Sequence, residues 1–267
     1  MLKANDALRP HEGRLRISQN STLKNRIVKR HIPNTITSLN LVSGCIAAYF
    51  AANGEINFAL YFMLLGLLFD FFDGFTARLL GVSSPIGKEL DSLADVVTFG
   101  VTPALMLFHV LQLQLPCSGA PTFCPARVMP YLAFAIAAFS AIRLAKFNLD
   151  TRQSHSFIGL PTPANALFWA GLTTYLNENG QSLLPTPVFA ATSVLLITFS
   201  CWILVSEVPM FALKFKNFSF TDNRVRFCFM FVAAAIVVGG IVFQVYPLAL
   251  SLVIVVYALV SLCVREQ

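Results

Sequence analysis

The sequence predicts an all-α, polytopic membrane protein with about eight transmembrane helices. Three observations predict it: the apolar content, the length of the apolar runs and the one-sided placement of the basic residues. Of 267 residues, 56% are hydrophobic and only 12% charged, about half the charged share of an ordinary soluble domain. Apolar runs cover roughly 33–53, 57–80, 92–114, 129–147, 163–177, 186–206, 227–245 and 247–264. All but the short fifth approach the ~20 residues that a helix needs to cross a bilayer core. A soluble helical bundle would show shorter runs, each with a polar face.

Eight spans place both termini on one side, together with the connections near 78–88, 143–152 and 214–226. Of the 19 lysines and arginines, only Arg127 then falls on the other side. Basic residues collect on the cytoplasmic side of membrane proteins, so both termini are expected to be cytoplasmic. A wrong helix count would scatter these charges. The net charge of +6 is therefore a topological signal rather than one for nucleic acid, and no nucleic-acid partner is expected.

The short linkers divide the chain into a basic juxtamembrane segment, 1–31, and a single transmembrane domain, 32–267. Within the first, "LKNRIVKRHIP" sets Leu23, Ile27 and Val28 between cationic residues, a pattern suited to a helix lying on anionic headgroups. Residues 1–20 read equally as a basic tail. The start is polar and lacks the apolar core of a signal peptide. Of the six cysteines, Cys45, Cys201, Cys228 and Cys263 sit in apolar runs and are expected to pack as small hydrophobes. Cys117 and Cys124 share the long outward loop, where they could pair in an oxidising compartment or stand as free thiols.

Chemistry is expected where polarity enters the membrane region, and the carboxylates there concentrate in one stretch, "DFFDGFTARLLGVSSPIGKELDSLAD". Asp70 and Asp73 are three apart on one face of the second helix, at its cytoplasmic end. Asp91 and Asp95 are four apart on one face of the third, at its start. "GVSSPIG" between them supplies turn residues, so all four carboxylates are expected to converge. Bare carboxylates so placed repel one another, and a divalent cation relieves the repulsion. With oxygen donors only and no nearby His or Cys, the set favours Mg²⁺, Mn²⁺ or Ca²⁺ over zinc. Four carboxylates also suffice for two ions clamping a phosphoryl group. Gly74 and Ala77 keep that helix face thin, and Arg78 offers a guanidinium fork suited to phosphate. Ordinary helix-end charges paired with Lys88, Arg78 and water are the plainer alternative, but they do not explain four carboxylates facing one another.

The spacing Asp70-x2-Asp73-Gly74-x2-Ala77-Arg78-x8-Gly87-x3-Asp91-x3-Asp95 resembles, at all eight fixed positions, the signature of the CDP-alcohol phosphatidyltransferases. "IPNTITSLNLVSG", "RLAKFN", "FIGLPTPANA" and "ILVSEVPMFALKFK" resemble the membrane-integral phosphatidylserine synthases within that family, over residues 32 to about 216. The resemblance implies that fold, a homodimer, and a cell-membrane enzyme with its active site facing the cytoplasm. It further implies transfer of a phosphatidyl group from CDP-diacylglycerol to L-serine with release of CMP. Two divalent ions, Mg²⁺ or Mn²⁺ with Ca²⁺ as a substitute in vitro, would be held by Asp70, Asp73, Asp91 and Asp95. Asp95 would also take the proton from the attacking hydroxyl. Asn34, Thr37, Gly74, Ala77, Arg78 and Ser84 match positions that contact the CDP moiety in relatives.

Serine as the acceptor rests mostly on the resemblance. Arg143, Lys146 and Asn148 lie at the cytoplasmic end of the fourth span, at a depth where they could hold a carboxylate. Their plainer role is that of ordinary cytoplasmic-edge residues. Glycerol phosphate or inositol phosphate would bring a dianion and demand more arginine than Arg143 and Arg152 provide. A cation transporter is the non-enzyme alternative, since intramembrane carboxylates also mark ion pathways. Such a pathway would be expected to spread its charges over several helices near the midplane, rather than over two adjacent helices at one face.

Overall fold

The computed structural model describes residues 9–115, 125–150, 157–179, 186–210 and 223–263. Among the described residues, the regular structure is helical apart from one short strand pair. Helix α1, Arg9–Ala52, carries Pro33 in its interior. Proline removes one backbone donor there, and hydroxyls bond back along the helix around it: Thr35 Oγ1 to His31 O at 2.8 Å, Thr37 Oγ1 to Pro33 O at 3.1 Å and Ser38 Oγ to Asn34 O at 2.9 Å. The helix therefore crosses the boundary expected near residue 32 without a break. Asn34 and Thr37 sit inside it rather than at its start.

Helix α2, Ile56–Leu80, follows a tight turn at Gly54, whose φ of +80° and close approach to the His109 ring leave no room for a side chain. It ends on Gly81 at φ 60°, with the Gly81 and Val82 amides returning to Arg78 O and Ala77 O. This is the left-handed closure for which glycine is suited. Ser84 then caps helix α3, Pro85–Asp95, by accepting the Gly87 amide at 3.0 Å, with Pro85 in the first turn. Serine at the cap and proline just inside are the expected start signals. "GVSSPIG" thus reverses the chain as its composition predicts.

A π-helical turn, Val96–Val101, joins α3 to helix α4, Thr102–Gln114. The three form one 30-residue span from Pro85 to Gln114, longer than the predicted 92–114. Helix α5, Pro125–Val128, and a 3₁₀ turn, Met129–Ala133, lead into helix α6, Phe134–Leu149. Next come strand β1, Phe157–Ile158, helix α7, Thr162–Asn179, helix α8, Thr186–Val205, and strand β2, Pro209–Met210. Helices α9, Arg224–Val242, and α10, Tyr246–Cys263, complete the described chain.

Among the described residues, seven helical segments are long and apolar enough to cross a membrane, and the molecule is a multi-pass membrane protein. The eighth expected span is α7, which forms as a helix but is too polar to count as one. The reason is its position. It packs against α10, α4, α2, α6 and α8, so it need not be apolar on every side. Asn165, Trp169, Thr173 and Thr174 are all buried on it. The Trp169 indole donates to Ser200 Oγ at 2.9 Å, and Ser200 donates to Asn165 Oδ1 at 2.6 Å.

Strands β1 and β2 pair antiparallel, Phe157 with Met210 and Ile158 with Pro209, a contact the helical pattern does not predict. Gly159, at φ +73°, lies against the carbonyls at the end of α8 and donates to Val208 O at 2.9 Å. Leu160 donates to Ile203 O at 3.1 Å. "GLPTP" is thereby fastened to the segment after α8. Cys117 and Cys124, and the basic residues Arg152, Lys214 and Lys216, lie outside the described residues.

Candidate active site

Three elements meet at one end of the bundle: α1 near its proline, the C-terminal part of α2, and α3. The signature spacing places Asp70, Asp73, Gly74 and Ala77 on the inward face of α2, one helical turn apart. Phe71, Phe72, Phe75 and Leu79 point outward and are exposed. Carboxylate oxygens of Asp70, Asp91 and Asp95 lie within 4.8 Å of one another. Asp73 stands outside that triplet. It is buried, with Oδ2 unpartnered, and it lies beside Thr37 of α1.

A pocket of about 260 Å³ opens beside the carboxylates. Asn34, Thr37, Gly74, Ala77 and Ser84, each expected from the sequence at a nucleotide site, line it together with Asp73 and Asp91. Arg78 is not part of the lining, but its guanidinium lies 3.8–3.9 Å from where a Gly74 side chain would begin. Pro33, Val82, Ser83, Gly87 and Lys88 complete the wall. Gly87 belongs there sterically: a Cβ would come within 2.9 Å of both Asn34 Oδ1 and Ser84 Oγ.

The residues expected to hold an acceptor separate. Arg143 is buried, donates weakly to Thr162 Oγ1 at 3.4 Å, and lies 5.3 Å from the Phe147 ring centre. Its Nε is buried without a partner, and Asp95 lies within electrostatic range. Lys146 is exposed and reaches Val205 O at 3.4 Å. Asn148 ties α6 to α3 instead: its Nδ2 donates to Ser92 Oγ at 2.8 Å, and its carbonyl accepts from Lys88 Nζ at 2.7 Å. Of the three, only Arg143 offers donor capacity from a buried position.

Sequence reasoning passed over Asn40. It is fully buried and donates from Nδ2 to Asp95 Oδ1 at 3.3 Å. A readable signal was present, since an amide in mid-span is costly unless partnered, and Asn40 shares a helix face with Pro33, Thr37 and Gly44.

The donor set at the triplet is oxygen only. Among the described residues no lysine or arginine forms an ion pair with the four aspartates, and one buried Asp73 oxygen lacks a partner. These features fit a hard divalent cation.

A sequence model of the CDP-alcohol phosphatidyltransferases matches residues 30–205. The chain belongs to the CDP-alcohol phosphatidyltransferase family. The matched region contains the whole aspartate cluster, the pocket and Arg143. Similar proteins include the CDP-diacylglycerol–serine O-phosphatidyltransferase of Bacillus subtilis, 37% identical over 133 residues, which span 50% of this chain and 70% of that one. The enzyme of the same name from Helicobacter pylori J99 is 34% identical over 137 residues, 51% of this chain and 54% of its own length. The archaetidylserine synthase of Methanothermobacter thermautotrophicus is 32% identical over 169 residues, 62% of this chain and 67% of its own.

Proposed function

We propose that this family member transfers a phosphatidyl group from CDP-diacylglycerol to L-serine, forming phosphatidylserine and releasing CMP. The observation that carries the reading is the clustering of Asp70, Asp91 and Asp95 within 4.8 Å, beside a polar pocket at the ends of apolar helices. A lipid-linked nucleotide and a soluble alcohol can meet at such a place. The names of the relatives described above differ in the lipid but share serine, which supports serine as the acceptor.

Asp70, Asp91 and Asp95 would hold divalent cations, with the unpartnered oxygen of Asp73 extending the set to four carboxylates. Mg²⁺ or Mn²⁺, as one ion or a pair, would supply Lewis-acid stabilisation of the charge that builds on the phosphate oxygens. The chain's own groups do the rest. Asn34, Thr37 and Ser84 present polar atoms to the nucleotide, and Gly74 and Ala77 let it approach the α2 backbone. Arg78 reaches toward its phosphates. Asp95, the most buried carboxylate of the triplet, accepts the proton from the serine hydroxyl as that oxygen attacks the lipid-side phosphorus and CMP leaves. Arg143 holds the serine carboxylate through its unpartnered Nε.

The positive-inside bias supports a cytoplasmic location for this end of the bundle, where serine is dissolved and CMP can leave while the lipid donor stays in the bilayer. We further propose that the protein acts as a homodimer. The test is a CMP-release assay on purified protein with CDP-diacylglycerol and separate acceptors: L-serine, glycerol phosphate and inositol phosphate. Serine-dependent CMP release well above the other two supports the reading. Equal release with all three removes serine as the acceptor.

A further inference from the structure

We propose that Asn40 is a positioning residue that locks the Asp95 carboxylate into its ligand orientation, and that Thr98 sets the direction in which the Asn40 amide points. The inference rests on the metal-dependent transferase reading given above. Asn40 lies in the first span and Thr98 in the π-turn that begins immediately after Asp95. Asn40 Nδ2 donates to Asp95 Oδ1 at 3.3 Å, and the Thr98 hydroxyl donates to Asn40 Oδ1 at 2.8 Å. Asn40 and Thr98 are both fully buried and Asp95 nearly so.

The direction of these bonds is dictated by chemistry. An ionised carboxylate only accepts, so the amide must present its NH₂ to Asp95. The amide oxygen then faces Thr98, which must donate. A flipped amide would set oxygen against carboxylate. Thr98 thus holds the one amide orientation that helps Asp95, whose carboxylate clusters with those of Asp70 and Asp91.

Three helices are shaped around this chain of bonds. A side chain at Gly44 would run into Thr98 Oγ1, and one at Gly66 would fall 2.7 Å from Thr98 Cγ2 and 3.0 Å from Asn40 Oδ1. The π-turn is itself pinned, because Thr102 Oγ1 donates to Gly44 O and Val97 O, each at 3.2 Å. Single π-turns in helices often accompany functional sites. Here the wide turn brings Thr98 to the same amide that Asp95 uses.

The experiment measures Mn²⁺ affinity of the purified full chain without substrate, by the electron paramagnetic resonance of free Mn²⁺, alongside CMP release and the unfolding temperature. Asn40→Ala and Thr98→Val should each weaken Mn²⁺ binding and turnover by about 10–100-fold, the usual effect of removing a partner that orients a metal ligand. The KM for CDP-diacylglycerol should stay within about twofold. Thr98→Ser, which keeps the hydroxyl, should restore both. The double variant should be no worse than Asn40→Ala alone, because Thr98 acts through Asn40. Thr98→Val preserves shape, so the pair Thr98→Val and Thr98→Ser decides the question even where Asn40→Ala does not fold. Additive effects, or unchanged Mn²⁺ affinity with only a lower unfolding temperature, would overturn the proposal. Wild-type protein that binds Mn²⁺ but releases no CMP would remove the transferase reading instead, leaving the metal-affinity comparison to judge Asn40.

Discussion

Gly87→Ala tests whether the pocket between α1 and α3 is the nucleotide site, without touching a carboxylate. The new methyl would lie 2.9 Å from Asn34 Oδ1 and 2.9 Å from Ser84 Oγ, closer than carbon and oxygen tolerate, so both side chains must move. Moving Ser84 weakens the cap it makes with the residue 87 amide, at about 1 kcal/mol. Alanine in place of glycine inside α3 returns about 1 kcal/mol of helix propensity, so stability should change little. Binding should change more. Displacing two polar groups from the pocket wall removes two hydrogen bonds worth about 0.5–1.5 kcal/mol each. The sum of about 1–3 kcal/mol raises the KM for CDP-diacylglycerol by about 5- to 150-fold. CMP release at saturating serine, with the lipid varied in mixed micelles, measures this, and the serine KM should stay near wild type. In an Asn34→Ala background the same substitution should have a smaller effect, since half the displaced set is already absent. A KM for CDP-diacylglycerol within twofold of wild type would refute the placement of the nucleotide in this pocket.

Removing divalent metal with EDTA should abolish CMP release, and Mn²⁺ or Mg²⁺ should restore it; full activity in a metal-free preparation would contradict the carboxylate-held cation. Asp91→Ala should abolish turnover while the protein still inserts and purifies, read by CMP release against size-exclusion behaviour. Arg143→Lys keeps the charge but loses the Nε donor and the planar fork, so the serine KM should rise about tenfold, one good hydrogen bond's worth, with CDP-diacylglycerol kinetics unchanged. Cysteines introduced by Ser84→Cys and Arg127→Cys should label from opposite faces of a sealed vesicle; labelling from one face would contradict the topology read from the basic residues.

Much of the fold was legible because lipid imposes a simple rule: a span of about 20 residues must be predominantly apolar. α2, α8, α9 and α10 obey it and appear where the hydropathy runs predict them. α7 shows where the rule fades. A helix enclosed by its neighbours answers to hydrogen bonding rather than hydropathy, and Asn165 and Ser200 satisfy it in ways no run length reveals. The aspartate cluster was legible from spacing alone, since i, i+3 and i, i+4 positions share a face and the intervening turn chemistry brings the two faces together. What spacing could not reveal is which carboxylates close on one another. Asp70 and Asp73 share a helix face, yet Asp70 joins Asp91 and Asp95 while Asp73 lies beside Thr37. Nor could it separate Arg143 from Lys146 and Asn148, three polar residues within six positions whose burial and partners differ entirely.

The two sides of α2 explain how one helix end could serve a reaction between phases. Its inward side carries Asp70, Asp73, Gly74 and Ala77, polar or small. Its outward side carries Phe71, Phe72, Phe75 and Leu79, with Phe71 and Phe75 stacked 6.4 Å apart. At Gly74 and Ala77 there is little side chain to separate the two. A donor with a pyrophosphate on the inner side can therefore lay its acyl chains along the aromatic outer side without crossing a bulky wall. A Gly74 side chain longer than a methyl would extend into that passage, its first atom in ordinary contact with the Arg78 guanidinium at 3.8 Å. On the proposed reading, the small residues of the signature would have a steric task distinct from the coordination proposed for its aspartates: they would let the α2 backbone serve as the edge over which a lipid is bent into a polar site. Gly74→Leu should then raise the KM for CDP-diacylglycerol without altering Mn²⁺ affinity. An equal loss of both would mean that the helix face, rather than the passage over it, had been damaged.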